Sequence, residues 1–259
     1  MSKNDNLQIA LVQSPIKWED PQGNRLFFKE KIDQIKEAVD LIVLPEMFTT
    51  GFTMSPEHIN EKEGEYTLHW MQQVAQQKNC AVVGSIVFKE NDLYYNRLFF
   101  VFPNGQYNVY DKRHTFTLAG EDKKYTKGSK KLIVEFKGFK ICPLICYDLR
   151  FPVWSRNTEN VDILLYVANW PTPRINAWDA LLKARAIENM VYCIGVNRIG
   201  VDALGHSYSG HTSAYDVLGT SLVHSAKEEI LIFEVLKSHI IKVRTKLNFL
   251  EDKDQFIIS

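Results

Sequence analysis

The stretch Ile141-Cys142-Pro143-Leu144-Ile145-Cys146-Tyr147-Asp148-Leu149-Arg150-Phe151-Pro152 is an apolar run that stops at a cysteine and turns polar at once. It reads as a buried strand ending at Cys146, with a short helix beyond. A thiol at such a junction lies at the carboxyl end of a strand, beside the partly positive start of a helix. There its pKa can fall, and free backbone N–H groups can receive an anion. Read alone, Cys146 fits a small core hydrophobe better than a nucleophile, because free cysteines are among the most buried residues. The rest of the chain decides between the two.

Upstream, residues 7–13, 40–44 and 80–88 are nearly continuous apolar runs, as strands covered on both faces would be. Residues 24–38 and 66–78, between them, space their apolar side chains as amphipathic helices do. Pro103-Asn104-Gly105 joins 94–102 to 106–110 as a hairpin, and Lys137-Gly138 joins 131–136 to 139–145. Downstream, 162–169 is a buried strand, 176–189 a helix, and 191–197, 209–215, 220–223 and 230–235 are strands. A short basic helix follows from Lys237. Early strand–helix alternation, later hairpins and no linker or repeat point to one α/β domain over residues 1–259. It has either a mixed sheet or two stacked sheets flanked by helices.

The 259 residues carry 31 Lys+Arg and 31 Asp+Glu, so the formal net charge is zero and nothing favours nucleic acid or an anionic surface. No apolar stretch approaches the roughly 20 residues of a membrane span, and the first residues show no signal-peptide pattern. Cys80, Cys142, Cys146 and Cys193 lie in apolar runs with no CxxC, which suits reduced thiols in a cytoplasmic protein.

Open α/β sheets place ligands at the carboxyl ends of their strands. Three such ends carry reactive groups: Glu46 after Asp40-Leu41-Ile42-Val43-Leu44-Pro45, Lys112 after Val109-Tyr110-Asp111, and Cys146. Together they supply a general base, a cation and a nucleophile, the set that acyl transfer requires. Glu46 would take the thiol proton and return it to departing ammonia. Lys112 and the backbone N–H of Tyr147 would hold the oxyanion. Phe48, Phe52, Phe116 and Trp170 follow strand ends and could wall a small pocket or simply pack. Arg113, Arg174 and Lys183 are candidate cations for a substrate carboxylate. Asp148 and Arg150 are expected to pair beside the nucleophile, as are Arg185 and Glu188 on one helix. His114, two residues from Lys112, lacks the setting of a Cys–His dyad. His206 and His211 lack partners at ligand spacing, so no metal is expected.

Leu44-Pro45-Glu46-Met47-Phe48, Tyr110-Asp111-Lys112-Arg113-His114 and Cys146-Tyr147-Asp148-Leu149-Arg150-Phe151-Pro152 resemble, in order and spacing, the nitrilase (carbon–nitrogen hydrolase) superfamily. Ala168-Asn169-Trp170-Pro171 and Ala184-Arg185-Ala186-Ile187-Glu188-Asn189 extend the likeness, which is strongest to the omega-amidase branch. The resemblance implies a four-layer αββα sandwich that assembles as a homodimer or larger homo-oligomer. It implies cofactor-independent hydrolysis, through a Cys thioester, of the terminal amide of short 2-oxo dicarboxylate monoamides such as 2-oxoglutaramate and 2-oxosuccinamate. The family triad falls on Glu46, Lys112 and Cys146, and its second glutamate on Glu121, with Asp122 adjacent. Nitrile hydrolysis, N-carbamoyl hydrolysis and acyl transfer share that triad; a non-catalytic binding protein would be expected to have lost part of it.

Overall fold

The computed structural model describes residues 5–257. Five strands and two helices come first: β1 (Asn6–Gln13), α1 (Pro21–Asp33), β2 (Leu41–Val43), α2 (Glu63–Lys78), β3 (Ala81–Glu90), β4 (Leu93–Val101) and β5 (Tyr107–Asp111). Then follow β6 (Val134–Phe136), β7 (Phe139–Ile145), β8 (Ile163–Val167), α3 (Ile175–Asn189) and β9 (Tyr192–Val196). The chain ends with β10 (Ile199–Val201), β11 (Ser207–Ser209), β12 (Thr212–Tyr215), β13 (Ser221–Ser225), β14 (Glu229–Leu236) and α4 (Lys237–Leu247).

Two six-stranded sheets result, ordered β14-β1-β2-β3-β4-β5 and β13-β12-β9-β8-β7-β6, with β10 and β11 as a separate two-stranded ribbon. Each sheet has three parallel strands at its centre and antiparallel strands outside them. Side-chain alternation in the first sheet explains the layering. Leu7, Ile9, Leu11, Leu41, Val43, Leu98 and Phe100 share one cluster with the second sheet and α3. Their neighbours Ala10, Val12, Ile42, Phe99 and Val101 face the other way and pack on Phe28 and Ile32 of α1 and Met71 and Val74 of α2. Both faces are therefore covered, which is why these strands are continuously apolar. The second sheet is closed by α3: a Cβ on Gly195 would sit 2.5 Å from Leu182 and 2.6 Å from Trp178, so only glycine permits that approach. The architecture is thus two mixed sheets flanked by helices, as the family resemblance implies.

Local chemistry sets the boundaries. Asp20 accepts a hydrogen bond from Gly23 N and Pro21 occupies the first turn, so α1 starts three residues earlier than its apolar spacing indicates and ends at Asp33. The run 209–215 is not one strand. Gly210 and His211 have φ of 75° and 63°, and two left-handed residues in succession turn the chain. Residues Ser207–Ser209 consequently pair with Ile199–Val201, and the sheet strand restarts at Thr212. Among the described residues no helix is long and apolar enough to cross a membrane.

Candidate active site

The polar groups of the site stand where strands of both sheets stop. Glu46 is three residues past β2, Lys112 follows β5, Cys146 follows β7 and Asn169 is two residues past β8. Lys112 Nζ lies 2.8 Å from Glu46 Oε1, 3.0 Å from Glu121 Oε1 and 2.9 Å from Glu121 Oε2. Asn96 Nδ2 donates to both acids, at 2.8 Å to Glu46 Oε1 and 3.1 Å to Glu121 Oε1. The backbone N–H of Asn169 donates to Glu46 Oε2 at 2.8 Å, and that of Phe116 to Glu121 Oε2 at 2.5 Å. Glu46, Lys112 and Glu121 are at most 1% exposed. Glu121 therefore joins the cluster, while Asp122 is exposed on the outer surface.

Two carboxylates and one ammonium leave this buried cluster one negative charge in excess. Burial alone would lower the Lys112 pKa, but the Glu121 and Glu46 charges outweigh it and hold the ammonium well above its usual value. Burial pushes Glu121 up, with Glu46 adding to the shift and Lys112 opposing it. Cys146 is also pushed well above the usual thiol value, first by burial and then by the Glu46 charge, against the opposing pull of Lys112. The sequence suggests a helix-lowered thiol pKa; the structure shows the reverse, because dehydration and a neighbouring carboxylate dominate over a single 3-10 turn. This setting favours the thiol form of Cys146.

Cys146 begins the 3-10 helix Cys146–Arg150 with φ of 41°, an unfavourable left-handed conformation for a residue with a Cβ. Asp148 holds that turn. Its Oδ2 accepts from Ile145 N at 3.0 Å and from Tyr110 Oη at 2.7 Å; its Oδ1 accepts from His114 N at 3.0 Å and lies 2.7 Å from the His114 ring. The expected Asp148–Arg150 pair does not form. Arg150 instead lies over Trp170, 4.9 Å from its centroid, and faces the pocket. Arg185 does pair with Glu188 at 2.8 Å, and also donates to Leu149 O at 2.7 Å.

The pocket above Cys146 is walled by Phe52, Phe116, Tyr147, Trp170 and Tyr208, with Arg150, Arg174 and His206 around it. Phe116 and Trp170 are among the lining residues. Phe48 is not: Met47 turns with φ of 43°, and Phe48 packs 5.5 Å from Phe28 and 5.8 Å from Trp70 in the helix layer. Of the candidate cations, Arg174 lines the pocket, stacked 5.2 Å over Phe116. Arg113 covers Trp154 in a separate hollow, and Lys183 is exposed on α3. Among the described residues neither Arg150 nor Arg174 has a carboxylate partner. Asn96 is a site residue that sequence reading misses; the available signal was an amide within a strand, where burial demands a partner.

The Carbon-nitrogen hydrolase family pattern matches residues 8–245. The omega-amidase YafV of Escherichia coli K12 is 40% identical over 254 residues, covering 96% of this chain and 98% of that protein. The 2-oxoglutaramate amidase of Bacillus subtilis is 31% identical, covering 86% and 88%. The crystal structure of a CN-hydrolase superfamily protein from Xanthomonas campestris, with an arsenic adduct in its active site, superimposes with a TM-score of 0.95. It is 36% identical and covers 98% of this chain and 99% of that one.

Proposed function

The chain belongs to the carbon–nitrogen hydrolase family and is an amidohydrolase, and from that premise we propose that it is an omega-amidase. It would cleave the terminal amide of 2-oxoglutaramate, 2-oxosuccinamate and related short monoamides to the 2-oxo acid and ammonia. The observation that carries the reading is a buried acid–lysine–thiol site beneath two arginines that lack carboxylate partners. A short diacid monoamide fits that arrangement: its amide reaches the thiol while its charged end meets a guanidinium. The names of the relatives above, omega-amidase and 2-oxoglutaramate amidase, support it.

In the proposed reaction the Glu46 carboxylate takes the Cys146 proton as sulfur attacks the amide carbon. The oxyanion of the tetrahedral intermediate is held by the Lys112 ammonium and by the Tyr147 N–H, which belongs to the first turn of a helix and has no partner within it. Glu46 returns the proton to the leaving nitrogen, ammonia departs and a thioester remains. Water then attacks the thioester with Glu46 as base, and the thiol is regenerated as the acid leaves. Glu121 does not need to touch substrate; it holds Lys112 in place and in charge. Asn169 Oδ1, buried without a partner in a pocket residue, offers an acceptor to the substrate amide N–H.

The test is ammonia release from 2-oxoglutaramate, 2-oxosuccinamate, glutamine, a carbamoyl amino acid and a nitrile. The two 2-oxo monoamides should exceed the others in kcat/KM by about 100-fold or more, roughly 2.7 kcal/mol of transition-state discrimination. Preference for the nitrile or the carbamoyl compound would sink the substrate reading and leave the family intact.

A further inference from the structure

His211, Asp179 and His224 come from three separate pieces of chain and converge beside the second sheet. Asp179 lies in α3, His211 immediately precedes β12, and His224 lies in β13. One ligand atom from each can be chosen so that all three lie within 4.8 Å of one another. Nδ1 of His211 is 2.9 Å from Asp179 Oδ2, and the two imidazole rings stand edge to face with centroids 4.9 Å apart. None of the three lines the catalytic pocket.

Two further observations point to an absent ligand. Asp179 Oδ1 is shut off from solvent and has no hydrogen-bond partner, and among the described residues no Lys or Arg pairs with this carboxylate. A sequestered carboxylate oxygen without a donor normally has an explanation, and an ion is one of them. His211 is also held in place at a backbone cost. Its φ of 63° is unfavourable for a residue with a Cβ, and its carbonyl is pinned by Trp178 Nε1 at 2.8 Å and Ser213 Oγ at 3.0 Å.

We propose that Asp179, His211 and His224 form a binding site for a divalent transition metal of the zinc class, tying α3 to the ends of β12 and β13. Two imidazoles and a carboxylate suit zinc, copper or nickel better than magnesium or calcium, which prefer oxygen alone. A tetrahedral zinc with bonds of about 2.0–2.1 Å holds its donors roughly 3.4 Å apart. The exposed His224 supplies that closure by turning from Ser213 Oγ, now 3.0 Å from its Nδ1. Water completes the coordination. The 2.9 Å approach of His211 Nδ1 to Asp179 Oδ2 already brings two of the donors close to the separation that a shared ion requires. The site stands beside Trp178, whose ring is 5.5 Å from Trp170 of the catalytic pocket, so its role is to fix α3 and not to supply chemistry.

Cys146 can itself bind such metals, so the test uses full-length Cys146→Ala protein, titrated with zinc chloride in a calorimeter and checked by equilibrium dialysis. One zinc per chain is expected, weakened at least about tenfold by His224→Gln and likewise by His211→Asn, since asparagine tolerates the left-handed backbone. Cobalt(II) in place of zinc should give visible d–d bands in the Cys146→Ala parent that both substitutions abolish. No zinc binding by the parent, or an unchanged affinity in either substituted protein, overturns the proposal.

Discussion

At the floor of the pocket, every oxygen of Glu46 and Glu121 has a donor and Lys112 touches three of them, all in groups at most 1% exposed. At the mouth, Arg150 and Arg174 rest on the faces of Trp170 and Phe116, with no carboxylate partner among the described residues. The floor is over-determined and the mouth under-determined. In the proposed mechanism a saturated network fixes where a proton and an oxyanion are handled, and it costs a great deal to disturb. A stacked but unpaired guanidinium keeps its charge available for an incoming anion and loses little if that anion differs. On the proposed function, reaction type and substrate choice fall to parts of the pocket with different rigidity.

The contrast can be broken from either side. The largest effect is expected at the thiol: Cys146→Ala should lower ammonia release by at least about four orders of magnitude while leaving the fold intact by circular dichroism. Appreciable turnover in that protein would move the nucleophile elsewhere. Next comes Lys112→Met, which leaves Glu46 and Glu121 facing each other in the interior. Urea unfolding should show a loss of about 3–5 kcal/mol, because a buried charge loses its partner; a loss below about 1 kcal/mol would mean that the floor is not a mutually dependent unit. At the mouth, Arg174→Met should raise KM for 2-oxoglutaramate about 10- to 100-fold with kcat within about threefold, the pattern of lost uniform binding. An equal fall in kcat would place Arg174 in the chemistry.

The smallest effect concerns the seal around the interior. Burial pushes the Cys80 and Cys142 thiols up to about 12 from an ordinary 9.0. As pH rises the unfolded chain loses these protons first, so their contribution is whole below about pH 9 and declines between about 9 and 12. The urea midpoint should therefore fall between neutral pH and about pH 10.5, and fall less in Cys142→Ala. Identical pH profiles for the two proteins would refute that assignment.

The floor was more legible in the sequence than the mouth, where Phe116, Trp170 and Arg174 were named only among several candidates. Glu46 and Cys146 announce themselves because each follows an apolar run, and a strand that stops at a reactive group is a local signal; Lys112 follows the mixed strand end Val109-Tyr110-Asp111 and stands out only beside them. Glu121 needed the family resemblance, since nothing near it separates it from Asp122. Arg150 was assigned to Asp148 on proximity in sequence. That carboxylate was already committed to Tyr110, His114 and Ile145, and the guanidinium turned to an aromatic face. Phe48 was misplaced because a single left-handed residue, Met47, reverses the side on which the next side chain emerges. Asn96 sits in a strand beside Arg97, which pairs with Glu90 and Asp111 close by in the chain, whereas the task of Asn96 depends on two acids 50 and 25 positions away. His211 was paired with its neighbour His206, whereas its contacts lie 32 positions back and 13 ahead in the chain. Polar partnerships across the fold are set by topology, which short-range spacing does not encode.

One feature of the first sheet bears on how the chain is made. β1 lies between β2 and β14, pairing with β14 along all eight of its residues from Asn6 to Gln13. During synthesis β1 leaves the ribosome first, while its antiparallel partner appears more than two hundred residues later. Until then β1 is an apolar strand with one open edge, a ready template for pairing with another chain. Nascent chains that stall before Glu229 should therefore be the ones that aggregate and recruit chaperones, and release of the last strand is the event that makes the first one safe.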